Sequence, residues 1–369
     1  MRILKIALNG FRNYEWETAD FSADTNIITG ENAQGKTNLL EAVYMLSCGK
    51  SFRTRFDREL VGFDFSEAEI LAEVSSHERE QTIQIRLSPG QTKRIQVNGV
   101  RKTAAELSET VNAVLFCPDD LELIKDGAAV RRRMMDQAIS QIRPKYGILL
   151  TEFNRLYEHK TRILKDWREK PSLLDTLDSF SDSMCRVSAQ IIRYRASYVS
   201  RLNEAVKPVH ADFSGSGENI DLIYHTVSTV RDPFSSSREI YYDICEHQER
   251  HRQAELDSAQ CLTGAHKDDV EILINGRSAR SFASQGQTRT AALSIKLAER
   301  EIILQEIGEY PILLLDDVLS ELDEKRQEFV LNRIGGGQTL ITCCEDTDIS
   351  KRTGGKVFSV NGGRIRECI

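Results

Sequence analysis

The stretch that most constrains this chain is G-E-N-A-Q-G-K-T at residues 30–37. It matches G-x-x-x-x-G-K-[ST], the P-loop pattern, in which backbone N–H groups surround a phosphate at the positive end of a helix. A short β-branched run at 26–29 precedes the loop, and residues 38–46 have the apolar spacing of a helix. Strand, loop and helix thus follow in the required order. The sequence predicts that the chain binds a nucleoside triphosphate.

The residues of this loop have individual predicted roles. The Lys36 ammonium is predicted to reach the β- and γ-phosphates, and the Thr37 hydroxyl is predicted to hold Mg²⁺. The predicted nucleotide-binding residues of the loop are Gly30, Glu31, Asn32, Ala33, Gln34, Gly35, Lys36 and Thr37.

Length and composition indicate a globular chain that can form two domains. Of its 369 residues 40% are hydrophobic and 28% are charged, with a net charge of −7. The sequence contains no run of 18 apolar residues, so no membrane span is predicted. The first residues begin a strand pattern without a signal-peptide region. The eight cysteines form no C-x-x-C pair, which favours reduced thiols. We therefore expect a cytoplasmic location and no membrane contact.

The periodicity of the sequence changes twice along the chain. Residues 2–9 and about 69–100 alternate with period two, and Asn98-Gly99 is a hairpin-type turn, so an antiparallel meander is predicted. From about 120 to 258 strand signals are absent and helical spacing dominates. Within that region, residues 212–238 are rich in Ser, Gly and Asp, and we expect a loop there.

Strand character returns in the last third of the chain. Residues 270–274 form a strand pattern followed by an Asn275-Gly276 turn, and a helix is predicted across 287–307. The apolar run 311–315 is typical of a central strand that is covered on both sides. We predict a split nucleotide domain, residues 1–110 with 262–369, and an inserted helical lobe at 111–261.

The apolar strand ends in two carboxylates that are candidates for catalysis. Asp316 is predicted to be the Walker B carboxylate that holds Mg²⁺, and Asp317 is predicted to orient or deprotonate the attacking water. Lys36 and Asp316 lie 280 residues apart. A compact P-loop protein accommodates that separation only with a large insertion.

A third motif, S-Q-G-Q at 284–287, begins the helix before Asp316. Ser284, Gly286 and Gln287 would form a second anion-binding helix end. One triphosphate does not need two such ends within one chain, so we expect the second end to meet the nucleotide of a partner subunit. Residues 320–323, S-E-L-D, follow the two carboxylates and suit a two-fold interface.

The order of these motifs resembles that of the ATP-binding-cassette (ABC) ATPases, and among them the SMC and Rad50 heads. The similarity to the bacterial RecF family is closer and extends along the whole chain. The segments that carry it are Leu8–Tyr14, Gly30–Glu41, Ser51–Thr54, Phe116–Leu121, Arg131–Arg133, Gly264–Asp269, Ser284–Gln287 and Leu313–Asp323.

The resemblance implies an α/β fold: an ABC-type P-loop ATPase head with an antiparallel β meander and an inserted, mostly α-helical lobe. It implies ATP and Mg²⁺ as cofactors, with Lys36, Ser284, Asp316 and Asp317 as catalytic residues. It further implies an ATP-dependent homodimer, with Asp323 in the dimer loop. The partners implied are DNA, RecO and RecR, and the role is RecA loading at single-strand/double-strand junctions or gaps, in gap repair and the SOS response.

Three positions depart from the pattern of related ATPases. Asp317 stands where transporter-type cassettes have glutamate, and Thr342 stands where a switch histidine would lie. Ala265 replaces a proline that is usual in the family, which we expect to alter packing only mildly. The shorter carboxylate and the missing histidine predict a slow ATPase, which we expect DNA to stimulate.

The predicted DNA contacts come from local charge. Residues 131–201 contain 15 Lys/Arg and 8 Asp/Glu, a local charge of +7 in an acidic chain. A lobe of opposite sign on an acidic body is typical of polyanion binding. The candidate residues are Arg131, Arg132, Arg133, Lys160, Arg162, Lys165, Arg193 and Arg195. We expect contacts with the duplex backbone that weaken steeply with salt.

Two other functions fit the sequence less well. A structural tether like SMC or Rad50 would need sustained heptads, which the insertion of about 140 residues lacks. A metabolic P-loop kinase would leave residues 284–287 without a role.

Overall fold

The structure is a computed structural model that describes residues 1–77, 79–215, 217–344 and 349–368. Fifteen strands are present in these ranges. They are β1 (Arg2–Phe11), β2 (Tyr14–Asp20), β3 (Thr25–Thr29), β4 (Ala68–Ser76), β5 (Arg79–Leu87), β6 (Arg94–Val97), β7 (Val100–Lys102), β8 (Ala113–Phe116), β9 (Ile220–His225), β10 (Asp269–Ile274), β11 (Arg277–Ser278), β12 (Ile312–Leu315), β13 (Thr339–Cys343), β14 (Lys356–Asn361) and β15 (Arg364–Cys368).

The same ranges contain nine α-helices. They are α1 (Lys36–Cys48), α2 (Ala128–Ile142), α3 (Pro144–Asp166), α4 (Leu174–Ser214), α5 (Ser237–Ser258), α6 (Ala279–Phe282), α7 (Gln285–Ile307), α8 (Glu324–Arg333) and α9 (Ile349–Thr353).

The chain divides into two compact units. The first comprises Met1–Glu122, Asp212–Gly215 and Arg289–Ile369, and the second comprises Leu123–Ala211 and Ser216–Thr288. The predicted domains, residues 1–110 with 262–369 and residues 111–261, stay a prediction.

The first unit contains an antiparallel sheet of order β2-β1-β4-β5-β6-β7. Buried and exposed residues alternate along its strands, as the sequence predicts. Ile6 and Leu8 of β1 and Ile83 and Ile85 of β5 face an apolar core. The turn between β6 and β7 has Asn98 at φ 50° and Gly99 at φ 76°, the left-handed pair of a type I′ hairpin. The predicted meander is confirmed.

A second sheet of the same unit has the order β15-β14-β3-β13-β12-β8. Its inner strands are parallel, and only β15 pairs antiparallel, at one edge. All four residues of β12 are buried, as expected for a strand covered on both faces. The phosphate-loop strand β3 and the carboxylate-bearing strand β12 lie on either side of β13 in this sheet.

The second unit is mostly helical and also contains the sheet β11-β10-β9. The turn after β10 has Asn275 at φ 51° and Gly276 at φ 74°, so the second predicted hairpin turn is confirmed. Among the described residues, no helix is both long and apolar enough to cross a membrane.

The prediction of a loop across residues 212–238 is wrong in part. Helix α4 extends to Ser214 through Pro208, and β9 occupies Ile220–His225. Ile220 and Leu222 are buried and pair with β10, about 50 residues further along the chain. The strand depends on this distant partner, so its polar flanking sequence did not reveal it.

Candidate functional site

The phosphate loop is held in a conformation that few residue types adopt. Gly30, Ala33 and Gly35 have φ of 151°, 65° and 123°. A Cβ on Gly30 would lie 2.3 Å from the Val360 carbonyl oxygen, so only glycine fits. No side chain of the described residues caps the start of α1. The first N–H groups of that helix are therefore available to an anion.

The Lys36 side chain lies inside this loop and is 3% exposed. Its Nζ donates to the carbonyl oxygens of Gly30, at 2.6 Å, and Glu31, at 3.1 Å. The Cys344 thiol lies 4.0 Å from the same nitrogen. The ammonium group is thus placed where the backbone curls, as the predicted phosphate contact requires.

The phosphate loop and the Walker B strand meet at Asp316. The Thr37 hydroxyl donates to Asp316 Oδ1 at 3.0 Å, and the Thr342 hydroxyl donates to the same oxygen at 2.9 Å. Burial raises the pKa of the Asp316 carboxyl, while the hydrogen bonds from Thr342 and Thr37 oppose that shift and the charge of Asp317 adds to it. A hydroxyl and a carboxylate oxygen are ligands that Mg²⁺ prefers. The donor set therefore fits the predicted cation.

Asp317, the residue after Asp316, adopts an unusual backbone conformation. Its φ is 51°, and its N–H donates to Thr342 Oγ1 at 2.7 Å. Its Oδ1 is buried and has no hydrogen-bond partner among the described residues. A buried carboxylate oxygen without a donor is costly unless water or a cation reaches it. Its predicted role in orienting water stays a prediction.

Two segments distant in sequence hold the loop in place. Asn13 Nδ2 donates to the Gln34 carbonyl at 2.9 Å, and the Tyr14 hydroxyl donates to the Gly35 carbonyl at 2.9 Å. From the β14–β15 turn, the Gly363 N–H donates to the same Gln34 carbonyl at 3.0 Å, and the Gly362 N–H donates to Gln34 Oε1 at 2.7 Å.

A buried carboxylate ties α1 to the chain on both sides of the loop. Glu41 is fully buried, and Arg12 grips it with two hydrogen bonds of 2.8 Å. The Ser51 hydroxyl also donates to Glu41, and the Arg53 guanidinium lies 3.8 Å from it. Sequence reasoning assigned Glu41 no role, although its position on α1 one turn after Thr37 was the available signal.

The S-Q-G-Q motif begins α7 as a capping box. Ser284 Oγ accepts from the Gln287 N–H at 3.2 Å, and Gln287 Oε1 accepts from the Ser284 N–H at 2.9 Å. Gln287 Nε2 also donates to Glu218 at 2.7 Å. Gly286 is the second residue of the helix, and Ser284 is exposed. This structural role of the motif was missed, although S-x-x-Q is a known capping pattern.

Asp323, predicted in the dimer loop, begins the next helix. Its Oδ1 accepts from the Arg326 N–H at 3.0 Å and so caps α8. That backbone hydrogen bond lowers the pKa of the Asp323 carboxyl.

Three of the predicted DNA contacts are corrected by the structure. Arg131, Lys160 and Arg195 are buried, at 3%, 0% and 2% exposure. Each is paired with a carboxylate of the second unit: Arg131 with Asp269 at 2.7 Å, Lys160 with Glu255 at 2.8 Å, and Arg195 with Asp268 at 2.7 Å. Their charges are used inside the unit and do not reach a phosphate.

The other five candidates differ in exposure. Arg132 is half-buried and donates to the Asp268 carbonyl. Arg133, Arg162, Lys165 and Arg193 are exposed, so they remain candidates for DNA contacts.

The fold is shared with a defined class of ATPases. Residues 2–360 match the family described as RecF/RecN/SMC N terminal domain. A solved Smc head domain of Pyrococcus furiosus, bound to the C-terminal domain of ScpA, has a TM-score of 0.57 at 18% identity. The match covers 99% of this chain and 95% of that one. The chain is a P-loop ATPase head of the RecF/SMC class, as the sequence predicts.

More similar proteins narrow the class. A protein of Lachnospira eligens described as DNA replication and repair protein RecF is 39% identical over 370 residues, 99% of each chain. Two solved structures of the recombination mediator protein RecF in the RecFOR pathway, RecF-ATPrS and RecF-ATP, are 33% identical. Their TM-scores are 0.93 and 0.91, and the matches cover 100% of this chain and 98% and 97% of theirs. The chain belongs to the RecF family.

Proposed function

We propose that this protein is an ATP-switched DNA repair and replication protein that binds ATP and Mg²⁺ through residues 30–37 and Asp316. The observation that carries the proposal is the 3.0 Å hydrogen bond between Thr37 and Asp316. It joins two motifs separated by 280 residues through oxygen ligands suited to Mg²⁺. The solved RecF-ATP structure at 33% identity supports ATP as the nucleotide.

ATP binding is proposed to drive formation of a homodimer. Ser284, Gly286 and Gln287 of one protomer meet the nucleotide held by Lys36 of its partner. The exposed Ser284 at the positive end of a 23-residue helix supports this assignment. Asp323 lies in the dimer loop.

The dimer is proposed to bind DNA at single-strand/double-strand junctions or gaps and to support RecA loading with RecO and RecR. The names of the relatives, DNA replication and repair protein and recombination mediator in the RecFOR pathway, support this role. Arg132, Arg133, Arg162, Lys165 and Arg193 are the remaining contacts proposed in the second unit. A role in the SOS response and a cytoplasmic location stay predictions.

Hydrolysis is proposed to be slow, to be stimulated by DNA and to time dimer opening. The side chain at 317 is one methylene shorter than the glutamate of transporter-type cassettes. Thr342 binds the Asp316 carboxylate where a histidine would lie. Both differences are expected to slow hydrolysis.

The alternative of an SMC- or Rad50-like tether is disfavoured by helix length. Among the described residues the longest helix is α4, with 41 residues, which spans about 60 Å. A far-reaching coiled coil needs longer paired helices with sustained heptads.

The test is the oligomeric state with and without ATP–Mg²⁺, measured by light scattering after size exclusion. The wild type should dimerise with ATP, and Lys36→Met should remain monomeric because the phosphate contact is lost. Chelation of Mg²⁺ should weaken the wild-type dimer.

Ser284 needs matched controls because its side chain also caps α7. Ser284→Asp keeps a good cap and places a negative charge against the partner's nucleotide, so it should block dimerisation. Ser236→Arg removes the corresponding cap of α5 and should leave ATP-dependent dimers intact. If Ser284→Asp forms dimers like the wild type, the trans arrangement is wrong.

A further inference from the structure

A basic segment of the first unit lies outside the nucleotide site. Residues 79–102 contain six Lys/Arg and one Glu, a local charge of +5 in a chain of net charge −7. These residues form β5, β6 and β7 at one edge of the antiparallel sheet.

Strand alternation places much of this charge on the solvent face. Ile83, Ile85, Ile95 and Val97 are buried on the inner face of the sheet. The intervening residues therefore point outward. They are Gln84, Arg86, Arg94 and Gln96, and Arg101 of β7 is paired directly opposite Gln96.

A shallow hollow of about 430 Å³ lies on this face. It is lined by Gln91, Thr92, Arg94, Gln96 and Arg101. Every one of these side chains carries a hydrogen-bonding group, and all but Thr92 can donate through N–H.

Within the described part of the chain, both arginines that line the hollow lack a side-chain partner. Three neighbouring basic residues are satisfied, since Arg86 pairs with Glu69 at 2.7 Å, Lys93 with Asp57 at 2.9 Å and Lys102 with Glu106 at 3.0 Å. The structure gives no hydrogen bond or ion pair to the exposed Arg94 and Arg101 side chains within that part.

Arg94 is paired directly opposite Arg86 on the neighbouring strand. The Glu69 carboxylate compensates the charge of Arg86, so Arg94 is the cation of this pair that is left for an outside anion.

We propose that this exposed face of β5–β7, defined by Arg94, Gln96 and Arg101, binds the phosphate backbone of DNA. The inference rests on the proposed DNA-binding function and adds a surface in the first unit. Guanidinium groups bind phosphate oxygens with two parallel hydrogen bonds, and glutamine amides add further donors. Backbone contacts of this kind carry no sequence information, so binding is insensitive to sequence.

The lining favours nucleic acid over an acidic protein partner. Specific protein interfaces have an apolar or aromatic core, whereas the five residues around the hollow are all polar or charged.

The test compares the wild type with the double variant Arg94→Gln, Arg101→Gln. Binding to a labelled duplex of about 30 base pairs is measured with ATP–Mg²⁺ at salt concentrations from about 50 to about 300 mM. The variant should bind about tenfold or more weakly at 0.1 M salt. Its plot of log affinity against log salt should be less steep by about 1.8, because two phosphate contacts are lost.

A second double variant, Arg364→Gln, Arg366→Gln, removes the same net charge from the exposed strand β15 and serves as control. It should bind DNA like the wild type. Because all four arginines are exposed, melting temperatures should stay within about 2 °C of the wild type.

The outcomes separate the two proposals. In one outcome the wild type binds DNA with the expected salt dependence, and the double variant Arg94→Gln, Arg101→Gln shows the same affinity and the same salt slope. That result would overturn the proposal for this surface and leave the DNA-binding function standing. An equal loss in both double variants would also overturn it, because net charge alone would then explain the effect. If the wild type itself does not bind the duplex or a gapped duplex, the proposed function fails.

Discussion

At Thr342 a single hydroxyl group links the Asp316 carboxylate to the backbone of Asp317. It donates to Asp316 Oδ1 at 2.9 Å and accepts from the Asp317 N–H at 2.7 Å. The hydroxyl is buried, at 1% exposure of the residue. Sequence reasoning treated this position only as a missing histidine, whereas the structure shows that the side chain orients Asp316.

Thr342→Val should destabilise the protein and lower ATP turnover. Valine has a similar shape but leaves the Asp317 N–H unpaired and removes one donor from Asp316, a loss of about 1–3 kcal/mol. The free energy of unfolding from urea titrations and steady-state ATP hydrolysis measure the two effects. Thr342→Ser keeps the hydroxyl and should recover most of both. Equal behaviour of the valine variant and the wild type would exclude this orienting role.

On the scale of elements, the β14–β15 hairpin holds one side of the phosphate loop. Its turn residues Gly362 and Gly363 donate to both oxygens of Gln34. A Cβ on Gly363 would lie 2.1 Å from the Asn13 carbonyl oxygen. The loop is thus clamped between β1–β2 and the last hairpin, some 330 residues further along the chain.

Gly363→Ala should weaken ATP binding by about tenfold, equivalent to about 1.4 kcal/mol. The new methyl group must displace either Asn13 or the hairpin, and both hold Gln34. Affinity is measured by titration with a fluorescent ATP analogue.

Gly354→Ala is the matched control for backbone strain. Gly354 also has a positive φ, 64° against 72° for Gly363, but its Cβ position is open. It should lose about 1 kcal/mol of stability and no ATP affinity. Equal ATP affinities for the two variants would show that the clamp does not shape the loop.

On the scale of the whole molecule, the fold buries several carboxylates, each beside a cation. Glu41, Glu255, Asp268 and Glu299 are at most 3% exposed. Their partners are Arg12, Lys160, Arg195 and Lys296. Removing one member of such a pair leaves an uncompensated buried charge, which typically costs 3–5 kcal/mol.

His266 has no such compensation. Its Nε2 lies 3.0 Å from the Cys261 carbonyl, and its Nδ1 is buried without a partner among the described residues. Burial lowers the pKa of His266 to about 4, and the charges of Lys267, Lys160 and Arg132 contribute. The folded protein therefore favours the neutral ring.

The wild type should lose stability on mild acidification. The pKa of His266 is about 4 in the folded protein and about 6.5 in the unfolded chain. The neutral His266 ring therefore contributes to stability above pH 6.5, and this contribution is lost as the pH falls towards 4. By pH 5 the loss from this residue is about 2 kcal/mol. Urea titrations at about pH 7 and about pH 5 measure the difference in the free energy of unfolding.

His266→Gln should show a smaller loss between the two pH values, by about 2 kcal/mol. His159→Gln, which changes an exposed histidine, should lose as much stability as the wild type. If His266→Gln shows the wild-type difference, the buried ring does not limit acid stability.

The sequence by itself determined the features that depend on short segments. Short local segments fix the backbone conformation or the burial of four elements. These are the phosphate loop, the Asn98-Gly99 turn, the Asn275-Gly276 turn and the apolar strand before Asp316. Glycine tolerates positive φ, and a continuous apolar run has no polar face for solvent. These elements also bring Thr37 and Asp316 within hydrogen-bond distance, because a parallel sheet brings strand ends to one edge.

Only the tertiary structure decided which charged residues face solvent. A local charge of +7 over residues 131–201 predicted a DNA surface, yet Arg131, Lys160 and Arg195 point inward because carboxylates 73 to 138 residues away neutralise them. The strand β9 and the clamp on Gln34 likewise depend on distant partners. Composition and residue spacing do not show whether a charged side chain faces solvent or the interior. The free energy of burying a charge depends on a partner that only folding brings near.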